Sequence, residues 1–84
     1  MPAIYVLDVE EFSSLVNHAK TRPELRVSGP VRSYWRIDSD DVITFSRKEL
    51  GFQPAVWNGA LTGGLIGTIK QFDRDTLVIV KEGA

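Results

Sequence analysis

The sequence predicts a small α+β domain in the order β-α-β-β-α-β-β: a mainly antiparallel sheet of about five strands, with one clear helix and a second short helical segment on one face. Three observations carry this expectation. Apolar runs lie near both ends, at Ala3–Leu7 and Leu77–Val80; a helical stripe runs from Val9 to Ala19; and residues 24–38 alternate with a period of two. Hydrophobic residues make up 43% and charged residues 25% of 84 positions, a balance that suits one globular domain, residues 1–84, rather than a disordered chain.

Ala3–Leu7 is continuously apolar, as in a strand buried on both faces. Asp8 follows, with Glu11 three residues on, which predicts an Asp-led capping box. The helix it would start carries Val9, Phe12, Leu15, Val16 and Ala19 on one side and ends no later than Pro23. From Glu24 to Asp38 the odd positions face inward and the even ones outward, so Arg26, Arg32, Tyr34 and Arg36 share a face. Ser28-Gly29-Pro30 either bends one long edge strand or turns between two short ones, since a proline is misplaced in a central strand.

Asp38-Ser39-Asp40-Asp41 reads as a turn and Val42–Phe45 as the next strand. Ser46 with Glu49 forms a second capping-box pattern, closed by Gly51. Pro54 can open a further helical piece ending near Gly63-Gly64, with Val56, Trp57, Ala60 and Leu61 on its apolar side. Asn58-Gly59 also fits a hairpin turn, and the helix is the preferred reading. Leu65–Phe72 and Thr76–Val80 complete the chain as two strands joined through Asp73-Arg74-Asp75. The runs 3–7 and 77–80 are the most continuously apolar and are expected at the centre of the sheet.

Composition excludes several chemistries. A net charge of −1 offers no bulk attraction to nucleic acid or anionic membrane. Without cysteine there is no disulfide, thiol nucleophile or thiolate metal site, which suits a cytoplasmic protein. No signal-peptide pattern opens the chain. The uncharged run Leu50–Ile69 has the length of a membrane helix, but Gln53, Pro54, Asn58 and five of the seven glycines argue against one. No metal or cofactor is expected: Asp38, Asp40 and Asp41 lack the glycine and closing glutamate of a calcium loop, and His18 is the sole histidine, expected on the solvent side of its helix.

Two features remain. The Arg32–Tyr34–Arg36 face could grip a small anion, or stack on a base as a weak nucleic-acid binder. The Leu50–Ile69 segment combines glycine, Phe52 and Trp57 with no charge, which favours burial against the domain's own core, a second subunit or an apolar ligand. The candidate ligand contacts are therefore Arg32, Tyr34, Arg36, Trp57 and Asn58, and the candidate interface residues Phe52, Trp57 and Leu61. The preferred function is a non-catalytic binding or accessory domain that self-associates as a homodimer through residues 50–69. The alternative is a small enzyme acting on an acidic molecule. It would use the arginine face, or Pro2 as an amino-terminal secondary amine, the group around which enzymes of the tautomerase type are built.

Overall fold

The computed structural model describes residues 1–83. The expected α+β architecture is observed, with the strands sorted into two small antiparallel sheets. Strands β1 (Ala3–Leu7), β2 (Arg26–Val31), β3 (Tyr34–Asp38) and β5 (Leu65–Ile66) form sheet A, in the order β2-β3-β1-β5. Strands β4 (Val42–Ser46), β6 (Thr68–Phe72) and β7 (Thr76–Val80) form sheet B, in the order β4-β7-β6. The helices are α1 (Ser13–Lys20), α2 (Arg47–Leu50) and α3 (Pro54–Gly59). The two most apolar runs do become interior strands, β1 and β7, one in each sheet.

Both sheets turn one face to a common core. Ile4, Val6 and Ile37 of sheet A meet Ile43, Phe45, Leu77 and Ile79 of sheet B, and Leu15, Val16 and Ala19 of α1 close it. Each large aliphatic side chain withdrawn in this way stabilises the fold by about 1.5–3 kcal/mol. α1 packs on β2 and β3.

Leu65–Phe72, expected as one strand, divides at Gly67 because it serves both sheets. Leu65 pairs with Ile4 of β1, whereas Thr68 pairs with Val80 of β7. At the crossing Gly67 has φ 121°, and a Cβ there would lie 2.5 Å from the Val80 carbonyl oxygen. Gly63 permits a second close approach, because a Cβ at that position would overlap the carbonyl oxygen of Tyr5. Two of the five glycines in residues 50–69, Gly63 and Gly67, are thus accounted for by close passage of the chain against β1 and β7.

Local capping differs from expectation at both helix starts. A 3-10 turn, Glu10–Phe12, precedes α1, and Asp8 does not cap it. Its carboxylate instead accepts a hydrogen bond from Trp35 Nε1 at 3.0 Å. Ser46 precedes α2 without a side-chain cap, and Glu49 points to His18. Gly51 closes α2 in the left-handed region, and Pro54 occupies the first turn of α3, so residues 54–59 are helix rather than hairpin.

Candidate interaction surface

The face of sheet A that carries Tyr5, Tyr34 and Arg36 is built by strand register. Ala3, Asp38 and Arg26 lie in one row across β1, β3 and β2; Tyr5, Arg36 and Ser28 form the next; and Leu7, Tyr34 and Val31 form a third. Asp38, only 8% exposed, accepts from two arginines: Arg26 Nε at 2.7 Å and Arg36 Nε at 3.2 Å. Arg26 also meets Asp40 at 3.0 Å, and Arg36 donates to the Tyr5 hydroxyl at 2.7 Å. Donation to Asp40 and Asp38 raises the Arg26 pKa above its ordinary value, and donation to Asp38 does the same for Arg36. These charges are spent on one another, so Arg36, a candidate anion contact, is already held by an acid of its own chain.

Arg32 stands apart. The alternation expected through residues 24–38 breaks at a two-residue hairpin turn, where Arg32 (φ 53°) and Ser33 (φ 72°) both occupy the left-handed region. Left-handed backbone costs a residue with a Cβ roughly 1–2 kcal/mol. Such turns therefore usually hold Asn-Gly, and Arg-Ser gives no sequence signal of a reversal. The preceding Ser28-Gly29-Pro30 bends β2 at an irregularity in its pairing, as an edge strand with proline can. The Asp8 amide donates to the Ser33 carbonyl at 2.7 Å and fixes the tip against the end of β1. Among the described residues Arg22, Arg26, Arg36 and Arg47 each have a carboxylate within ion-pair distance, while Arg32 and Arg74 have none.

The 50–69 segment meets this face at Gly63 and at Ile66, which extends the row of Ala3, Asp38 and Arg26. Its Gly63 lies against the ring of Tyr34, where a Cβ would sit 2.9 Å from Cε1. The aromatic side chains of the segment face inward, whereas Ile66 and Ile69 are exposed. Phe52 and Trp57, expected at an interface, are buried in the chain's own core; Leu61 is half-buried against it, and Asn58 is exposed on α3. Trp57 donates through Nε1 to the Asp73 carbonyl at 2.7 Å and packs its ring 5.7 Å from that of Phe72. An uncharged stretch with aromatic residues satisfies burial equally well inside one chain, which is why sequence pattern did not separate core from interface.

The turn receiving that hydrogen bond is the connection expected at Asp73-Arg74-Asp75, although its side-chain bonds were not foreseen. Asp73 Oδ1 accepts the amides of Asp75 and Thr76 at 3.0 and 2.9 Å, and Gln71 donates to its other oxygen. These bonds hold the Asp73 carboxyl below its ordinary pKa, the Gln71 bond foremost. Arg47 clasps the same turn through the Arg74 carbonyl at 2.8 Å. Asp73 three residues before Thr76 was the available signal, an Asx-turn pattern.

The remaining candidates are engaged structurally. Pro2 has a fully buried ring, and its carbonyl accepts the Ser39 amide. His18, expected on the solvent side, is half-buried, 3.5 Å from Glu49 and 6.4 Å from the Phe45 ring centroid. Among the described residues no cluster of acids and histidine is placed to hold a metal ion, no pocket forms, and no helix is long and apolar enough to cross a membrane.

No protein-family model and no curated protein matches the sequence. Solved structures do match. A chain in the structure of a phenol hydroxylase–regulatory protein complex is similar over 94% of this chain and 95% of that one, with a TM-score of 0.76 and 12% identity. At that identity the likeness is one of fold.

Proposed function

We propose that this protein is a small accessory domain without chemistry of its own, which acts by binding a larger protein. The observation supporting it is the likeness of fold, over nearly the whole of both chains, to a chain found in a complex of an enzyme with its regulatory protein. The placement of reactive groups agrees with this reading. His18, Arg26 and Arg36 are paired within the chain, and Pro2 is packed beneath its surface. What the molecule offers outward is an exposed hairpin turn and an exposed edge strand, β6, the ordinary materials of protein recognition.

The test is cross-linking in cells that naturally make the chain, followed by reconstitution from purified components. One saturable complex of fixed stoichiometry is expected, with the partner's activity altered by the bound chain. A chain that stays free at native concentration, or converts a small molecule alone, overturns the reading.

A second copy is the alternative partner. Ile66 and Ile69, in the segment expected to self-associate, are 40% and 44% exposed, and Phe72 lies beside them in sequence. Sedimentation then gives a mass near twice 9.4 kDa. A monomer across the micromolar range removes this version and leaves the first intact.

A further inference from the structure

We propose that the tip of the β2–β3 hairpin is the anchor of the accessory interaction, with Arg32 meeting a carboxylate of the partner while Val31 and Tyr34 pack on apolar surface around it. This rests on the accessory reading above and specifies where that reading is carried. Four features converge on the tip.

Val31 is 70% exposed, the most exposed of the large hydrophobic residues, although it belongs to a strand. Arg32, like Arg74, has no carboxylate within ion-pair distance among the described residues, whereas the nearby Arg26 and Arg36 share Asp38. An unpaired guanidinium beside exposed apolar surface calls for a complementary carboxylate, and the planar fork of arginine can grip one through two bonds. The backbone keeps two side-chain-bearing residues in the left-handed region where Asn-Gly would be at ease. Strain retained at an exposed turn is a common mark of a functional position. Finally, the tip is held in place before binding: the Asp8 amide fixes Ser33, and Gly63 backs the Tyr34 ring. Preorganised tyrosine and arginine at the centre of a patch are the composition of an interface hot spot. The stated partner chemistry is thus a protein groove with an apolar floor and at least one aspartate or glutamate.

The experiment places a photo-cross-linking benzoylphenylalanine at one exposed position at a time in the full chain, expressed in its own cells. The positions are Val31 at the tip, Ile69 on the β6 edge and Lys48 on α2. The proposal expects a cross-linked product from Val31 and none from Lys48, mapped by mass spectrometry to a partner peptide containing an acidic residue. A second substitution, Arg32→Glu, should reduce that product at least tenfold, while Arg32→Lys retains most of it. Thermal unfolding of each variant separates lost binding from lost fold.

Cross-links from Ile69 or Lys48 but not Val31 overturn the hairpin anchor and leave the accessory reading standing. A Val31 product unchanged by Arg32→Glu overturns the carboxylate. A Val31 product joining two copies of this chain overturns the heterologous partner. No product from any position counts against both the anchor and the accessory reading.

Discussion

Trp57 is held by two different forces, and a conservative change separates them. Its ring is buried against Phe72, and its Nε1–H is satisfied by the Asp73 carbonyl. Trp57→Phe keeps most of the apolar contact but leaves that carbonyl without its donor and opens a small void. A loss of about 2 kcal/mol is expected from the urea midpoint. A loss no larger than that of an exposed substitution such as Asn58→Ala would place the indole outside the core. The same residue marks where sequence reading reached its limit. That Trp57 lies on the apolar side of a helical piece was legible from its spacing with Val56, Ala60 and Leu61. Whether that side met the domain's own sheets or another subunit depended on the Gly67 crossing, which is a tertiary event and leaves no local period.

Two turns set the behaviour of their elements, in opposite directions. The β2–β3 turn opposes stability. Replacing Arg32-Ser33 by Asn-Gly removes the penalty of left-handed backbone and should raise stability by about 1–2 kcal/mol. In a domain of this size each kcal/mol raises Tm by roughly 4–8 °C. The same double variant is expected to bind its partner less well, so a gain in Tm with undiminished binding would deny the turn its role. The β6–β7 turn supports stability through an ionised Asp73. Its lowered pKa means that the contribution is full above the ordinary aspartate value and is lost as pH falls through the lowered one. Denaturant midpoints of the native chain should therefore drop below about pH 4. Asp73→Asn, which still accepts backbone amides but does not titrate there, should give a flatter profile; parallel curves would show that the carboxylate charge is immaterial. The Asx pattern at Asp73 could be read from sequence. The Arg32-Ser33 reversal could not, because neither residue favours the conformation it adopts.

For the whole molecule the decisive feature is that two sheets share one core and one connecting strand. The alternation on either side of the Arg32-Ser33 turn, the apolar runs at 3–7 and 77–80 and the helical stripe from Val9 to Ala19 were all visible as patterns, and the α+β class followed from them. The division into two sheets was not visible, since Leu65–Phe72 reads as a single strand until Gly67 is known to turn between partners. Gly67→Ala tests that joint. A side chain there meets the Val80 carbonyl in a backbone region L residues rarely adopt, and a loss of about 2–4 kcal/mol is expected. If the two sheets form one cooperative unit, the loss should appear equally in hydrogen exchange of β1 and β7 amides. Weakening confined to β6 and β7 would instead show that sheet B opens alone.

The pairing of Ala3 with Ile66 has a kinetic consequence. β1 can finish its sheet only after most of the chain has been made and the Gly67 joint has formed, so a large loop must close before those contacts repay its entropy. Folding in milliseconds to seconds is the expected regime for such distant pairings, slower than for a helical chain of equal length. During that interval the apolar β1 run has only part of its neighbours. A newly made copy is then most exposed to aggregation, and a waiting partner protein could shelter it.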